Sequence, residues 1–150
     1  MASIQHLVNA HAITVAQSIE QRGKIHRLPD DCAGLTAECI FVDGGGGTTI
    51  KVFIQTALDS VGSTTVGGKP QVWFDIMCFA FTTSAGRKIL KVREETAIVA
   101  DHVETDGALG DDTAVSGIIG SHVRAKIVTT GTYTATSTID VFLRIENGNN

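Results

Sequence analysis

Alternation of apolar and polar positions is clearest between Thr48 and Val92. There Ile50, Val52 and Ile54 share one face with Thr56, while Lys51, Phe53 and Gln55 take the other, the period of two that marks a strand. After the glycine-bearing link VGSTTVGGKP, Trp73, Asp75, Met77, Phe79 and Phe81 alternate with Val72, Phe74, Ile76, Cys78 and Ala80, and only Asp75 interrupts the apolar run. Two such runs around a glycine-rich link predict a β-hairpin, and Thr82 to Gly86 then turns the chain into a third strand over Arg87 to Val92. Strands apolar on both faces predict the centre of a sandwich; a subunit interface gives the same pattern.

The flanking chain extends this picture. Leu35 to Val42 alternates as a strand with Leu35, Ala37, Cys39 and Phe41 on one face. Asp43 to Gly47 (DGGGG) must turn, because successive glycines lose the most conformational entropy inside a regular element. In residues 3 to 28, Ile4, Leu7 and Val8 could open a helix, but Ile13 and Val15 within Ala12 to Gln17 alternate. An extended N-terminal arm followed by a first strand is the better reading of residues 1 to 28. Pro29, Asp30 and Asp31 signal a turn. Ala97 to Val103 is a short strand candidate, and Ala114 to Gly120 reads as a buried loop or one helical turn. His122 to Thr129 and Tyr133 to Ile145 form a closing hairpin, with Ile139, Val141, Leu143 and Ile145 inward and Asp140, Phe142 and Arg144 outward. With 150 residues, 43% of them apolar, and 16 glycines against two prolines, the expected fold is one all-β domain: an antiparallel, jelly-roll-like β-sandwich with an extended N-terminal arm.

Charge and chemistry narrow the function. A formal charge of −4 with acids and bases interspersed leaves no basic stripe for a phosphate backbone, so no nucleic-acid partner is expected. No apolar run reaches the ~20 residues of a membrane span, and the N-terminus lacks a signal core, so a soluble, unexported protein without a membrane partner is expected. Cys32, Cys39 and Cys78 form no CxxC pair and read as free thiols. The glycine clusters invite a phosphate-cradle reading that fails in every frame. After DGGGG comes a strand and not a helix, and Gly62 to Lys69 puts Ser63 and Pro70 where a phosphate loop needs glycine and a hydroxyl. Glu104 to Asp112 (ETDGALGDD) is rich in carboxylates but lacks the alternate-position spacing of a calcium loop. The five histidines are scattered, and no nucleophile elbow surrounds any serine; neither enzyme, cofactor nor metal is expected.

The runs IKVFIQTALD, VWFDIMCFAFTTSAGRKILKV and TDGALGDDTAVSGIIGSHVRAKIVTTGTYTATSTIDVFL resemble small β-sandwich structural proteins of tailed bacteriophage virions, the cement (decoration) and neck proteins. Those carry a V-x-V-x-x-Q-T-S-L-D-G-G-x-x-W-x-D-I-A strand pair and an L-G-x-x-x-R-V-K-x-x-T-T-G-T-Y hairpin. The likeness spans Lys51 to Leu143 and departs at Ser60 to Pro70, where a longer loop replaces the tight D-G-G turn. It implies a virion location, assembly in the bacterial host cytoplasm, and capsid cement as the function. The implied partners are the major capsid protein or another virion protein, and further copies of the chain in a homo-oligomer such as a trimer. Candidate partner contacts are Ile4, Leu7 and Val8 of the arm; Phe53, Phe74 and Phe142 on second strand faces; and Thr64, Thr65 and Lys69 of the long loop. A connector or tail component is the neighbouring alternative. A carbohydrate-binding module using Trp73 and Tyr133 is the alternative of another class.

Overall fold

In the computed structural model, residues 3–13, 18–20, 25–58, 65–66, 69–70, 73–94, 105–134 and 136–148 are described, with the backbone alone at 3, 18–20, 65–66 and 69–70. Among them no helix occurs and twelve strands form. In chain order these are β1 (Ser3–Ala12), β2 (Ser18–Glu20), β3 (His26–Arg27), β4 (Cys32–Val42), β5 (Thr49–Ala57), β6 (Thr65–Val66), β7 (Lys69–Pro70), β8 (Phe74–Phe81), β9 (Gly86–Arg93), β10 (Thr113–Ala114), β11 (His122–Thr130) and β12 (Thr138–Asn147). Two antiparallel sheets face each other. Sheet A has the order β1-β12-β4-β9 and sheet B the order β10-β8-β5-β11-β2, with β3 also on β11. The first strand pairs with the last, β2 with β11, β4 with β9 and β5 with β8, and rolling this long hairpin adds the β12–β4 and β11–β5 ladders. That is the jelly-roll arrangement of two interleaved Greek keys.

The core lies between the sheets. Leu35, Ala37, Cys39 and Phe41 of β4 and Ile139, Val141, Leu143 and Ile145 of β12 supply sheet A, and Ile50, Val52 and Ile54 of β5 with Val123, Ala125 and Ile127 of β11 supply sheet B. These are the faces that period-two alternation assigns. The extended N-terminal segment is, over Ser3–Ala12, the edge strand β1, and Leu7, Val8 and Ile13 are buried in the common core. Val15, the rest of that expected alternation, and the expected strand at 97–103 lie outside the described residues.

Strict alternation fails at several register slips, two of which redirect core side chains. In β1 the register on β12 slips between His6 and Val8, so that Leu7 and Val8 both face the core. In β8 it slips where Ile54 opposes Met77 but Gln55 opposes Asp75, so Ile76 and Met77 both face inward. The consequence reaches both neighbours. Phe74 joins the core cluster instead of standing on an outer face, and Asp75 points outward instead of sharing the core row of Met77, Phe79 and Phe81.

The closing hairpin is shorter than alternation suggests, because Tyr133 sits in the connection and not in β12. Its buried ring lies against the DGGGG turn, where a Cβ on Gly47 would stand 2.0 Å from a ring carbon. Gly45, Gly46 and Gly47 have φ of +107°, +83° and +69°, which β-carbon-bearing residues rarely adopt. The glycine run is thus a turn that lets Thr132, Tyr133, Thr134 and Ser137 approach closely. Ala114 ends β10, and residues 115–120 form a loop that buries Ile119.

Candidate functional site

The outward Asp75 organises the first candidate region, on the outer face of sheet B. Its carboxylate accepts hydrogen bonds from Gln55 Nε2 (2.8 Å), Thr105 Oγ1 (2.9 Å) and the backbone N–H groups of Gly107 (2.8 Å), Ala108 (3.0 Å) and Leu109 (3.2 Å). Its own N–H donates to Thr105 O at 2.8 Å. Three successive amides converging on one carboxylate form an anion-cradling nest whose anion is a side chain of the same protein. Gln55 Nε2 also donates to Asp106 Oδ1 (2.7 Å), and Arg124 Nε donates to Gln55 Oε1 (2.9 Å). Arg124 lies over the Trp73 ring, 4.3 Å from its centroid, a cation–π contact. Gln55, Asp75 and Arg124 are all buried, so the network pins segment 105–112 as a roof over this sheet.

The carboxylates of that segment are taken up by lysines of β11 and β5 in sheet B and of β9 in sheet A. Asp106 meets Lys126 (2.8 Å), Asp111 meets Lys51 (2.6 Å) and Asp112 meets Lys88 (2.6 Å). Lys88 also donates to Ala80 O, and Asp112 Oδ1 accepts from Ala80 N (3.0 Å). One ion pair thereby occupies the polar groups of β8 where β10 stops, which closes that part of the sheet edge. For Asp106 and Asp112 burial pushes the carboxyl pKa up, but the hydrogen bonds from Lys126 and Gln55, and from Ala80 and Lys88, outweigh it and hold both below the ordinary range. Between this segment and the β8–β9 turn lies a cavity of about 420 Å³ lined by Thr49, Lys51, Phe81, Thr82, Lys88 and Asp112 among others. Its charged walls are paired with one another, Lys51 with Asp111 and Lys88 with Asp112.

The outer face of sheet A is built differently. Rows of side chains cross it: Ile4, Arg144, Thr36 and Lys91; His6, Phe142, Glu38 and Ile89; then Asp140, Ile40 and Arg87. Ile4 is 71% exposed and Ile89 59% exposed, and they sit at the two opposite edges of this face. Phe142 is half-buried and stacks on His6 at 4.3 Å between centroids. Asp140 ties down the irregular part of β1, accepting from Ala10 N (2.8 Å) and lying 3.1 Å from His6 Nε2. Arg87 pairs with Glu38, and Lys91 with Glu146 at 2.7 Å.

The expected contact residues therefore separate. Ile4 and Phe142 stand on the sheet A face, as outward positions should. Leu7, Val8 and Phe74 are core residues of this chain, because the two bulges turn them inward. Phe53 is on the outer face of sheet B as its alternation indicates, but at 1% exposure it is covered within this chain. Thr64 lies outside the described residues, and of Thr65 and Lys69 only the backbone is described, in the small β6–β7 ladder. Of the aromatics considered for sugar stacking, Tyr133 is buried and donates to Thr82 O (2.9 Å), and Arg124 covers a face of Trp73. Cys32, Cys39 and Cys78 are free and buried; burial pushes the Cys78 thiol up to about 11 and raises Cys39 further. Pattern reading missed the Asp75 network, although one acid in an apolar run was its visible trace. No family model, curated protein or solved structure matches the chain.

Proposed function

We propose that this chain is a virion structural protein, a capsid cement or decoration subunit that acts through subunit–subunit contacts and carries out no catalysis. The observation that carries the reading is the asymmetry of the two outer faces. Sheet B is roofed by its own chain through a buried network, whereas sheet A leaves Ile4, Ile40, Phe142 and Ile89 outside its core among charges of both signs. Mixed apolar and charged rows on an outer sheet face suit a broad contact with another protein surface better than a pocket suits a small substrate. Jelly rolls recur in viral capsids and also in lectins, so the fold alone supports the setting only by analogy. The sequence resemblance supports the virion over the lectin.

The test is electron microscopy of particles from a producing host, labelled with antibody against this chain. Gold distributed over the head is expected. Gold confined to the head–tail axis would replace cement with a connector, and unlabelled particles would overturn the virion reading.

A further inference from the structure

We propose that the β1 and β9 edges of sheet A, which no further strand among the described residues pairs, are complementary, so that β9 of one copy pairs with β1 of the next and joins subunits into a continuous sheet. This deepens the structural-subunit reading and rests on it for the reason the chain assembles at all. Hydrogen-bond polarity across the sheet is the starting point. Arg93 at the end of β9 directs both its backbone groups away from β4, its carbonyl accepting from Gly117 N (2.8 Å) and its N–H donating to Ser116 Oγ (3.4 Å). In an antiparallel ladder the direction of the backbone groups alternates residue by residue. Since the β4–β9 ladder is regular from Gly34–Arg93 to Phe41–Gly86, Arg87, Ile89 and Lys91 also point their N–H and C=O outward.

The same alternation carries across the sheet. Lys91 opposes Thr36, Thr36 opposes Arg144 and Arg144 opposes Ile4; Ile89 opposes Glu38, Glu38 opposes Phe142 and Phe142 opposes His6. If Lys91 and Ile89 turn away from β4, then Thr36 and Glu38 bond to β12, Arg144 and Phe142 bond back to β4, and Ile4 and His6 are left pointing away from β12. At each edge, then, the residues with outward backbone groups are those whose side chains stand on the outer face.

Strand sense fits as well. Three reversals separate β1 from β9 in the order β1-β12-β4-β9, so a copy placed alongside in the same orientation brings its β1 antiparallel to β9. Setting Ile89 opposite Ile4 then places Arg87 opposite His6, and each pair exchanges both its hydrogen bonds. The two exposed isoleucines meet on one face.

Charge selects this pairing over the symmetric one. A two-fold β9–β9 contact centred on Ile89 would put Arg87 opposite Lys91, a like-charge pair that is destabilising. From Ser3 to Ala12, β1 carries no acid, lysine or arginine, and the residue it sets opposite Arg87, His6, lies 3.1 Å from the Asp140 carboxylate. Where β10 stops, the β8 edge of the other sheet is occupied by Lys88 and Asp112. Because the two surfaces differ, the contact is heterologous and generates rings or filaments instead of closed two-fold dimers.

Cysteine cross-linking tests the register. The variants are Ile4→Cys, Ile89→Cys and the two together, on positions exposed enough for folding to be kept, with thermal unfolding as the control. Directly opposed residues in such a pair lie about 5.5 Å apart between Cα atoms, within disulfide reach. On oxidation the double variant is expected to run as a ladder above the dimer, with each single variant monomeric on a denaturing gel. Dimers from Ile89→Cys alone would replace the proposal with symmetric pairing. An unlinked, folded double variant would overturn it. Cross-linked ladders from a protein that labels no particle would keep the edge pairing and discard the virion reading; labelled particles with no ladder would do the reverse.

Discussion

Replacing Asp75 by alanine should be the most destabilising single change on the outer surface of sheet B. The carboxylate is 1% exposed and receives the Gln55 amide, the Thr105 hydroxyl and the amides of Gly107, Ala108 and Leu109. A hydrogen bond to a charged acceptor contributes about 1.5–3 kcal/mol, and a buried donor left unpaired costs about 1–3 kcal/mol. Simple addition would overshoot, because segment 105–112 can lift away and let water satisfy its amides. The loss is then the free energy that holds the roof down, which we put at about 4 kcal/mol, a large part of the roughly 5–15 kcal/mol of a whole domain. For a chain of this length that corresponds to a fall in Tm of about 10 °C. Asp75→Asn keeps one acceptor oxygen but aims an NH₂ at backbone N–H groups, and should lose roughly half as much. Urea unfolding gives the magnitude, and native-state hydrogen exchange gives the location, since protection of the 107–109 amides should collapse before that of β5 or β11. If Asp75→Ala loses under about 1 kcal/mol with those amides still protected, the clamp reasoning is refuted.

Other perturbations follow from the same geometry. Tyr133→Phe removes the bond to Thr82 O and should cost about 1 kcal/mol in urea unfolding, while Tyr133→Ala should cost several times that through the void beside Gly47. Gly120→Ala puts a Cβ 2.0 Å from Ala57 O at a backbone contact between β5 and the 115–121 segment. A loss on the order of 3 kcal/mol or outright misfolding is expected, read by thermal unfolding and solubility. Cys39 and Cys78, both 0% exposed with raised pKa, should resist maleimide in the native state, with Cys32 labelling first; mass spectrometry of the adducts checks the order. Acidification should destabilise in two stages. His11 is held below the ordinary imidazole value by burial, and His122 by burial and then by the charge of Arg27, so both stabilise the fold as neutral bases. Their contribution is whole above the unfolded value of about 6.5 and is lost as pH falls from there through the lower folded values. Asp106 and Asp112, with depressed folded pKa, contribute above the ordinary carboxylate range and lose that as pH falls through their folded values. A Tm that stays level from about pH 7.5 to pH 5 would contradict the histidine stage, and His11→Gln should flatten its part of it.

How much of this was legible in the sequence depends on the range of the interaction. Leu35 to Phe41, Ile50 to Ile54 and Ile139 to Ile145 face the core as period-two reading assigns, because burial of one face dominates a strand's choice of side chains. The turn at Asp43 to Gly47 was equally plain, since no other residue type tolerates that run of positive φ. Phe74 was misplaced because a single-residue bulge reverses every assignment beyond it and local pattern carries no mark of it, whereas Leu7 and Val8 were read as arm contacts and are core because β12, from the far end of the chain, pairs with this segment. Asp75 was conspicuous as the one acid among FDIMCFAF, but its partners lie 20 residues away at Gln55 and 30 or more at Thr105 to Leu109, and no local period connects them. The sheet A edges were hidden for the same reason, as strand order is a property of long-range pairing.

The two bulges and the two outer faces are parts of one arrangement. The β8 bulge is what turns Asp75 outward, and Asp75 is what brings segment 105–112 down over Phe53, Gln55 and Lys51. Without that slip the acid would point into the core and sheet B would lose the centre of its cover. The β1 bulge does the opposite work on sheet A: by sending both Leu7 and Val8 inward it anchors the strand, and it confines the regular, pairing-competent part of that edge to Ser3 through His6. Ala10, with φ of +41° and its N–H held by Asp140, then bends the remainder away from ladder geometry. An edge kept regular for only four residues resists indiscriminate strand addition. It still offers a match to the short Arg87 to Lys91 stretch of β9, whose continuation at Arg93 is occupied by Ser116 and Gly117. Both edges of sheet A are thus trimmed to similar lengths, which limits the proposed contact between copies to one short register.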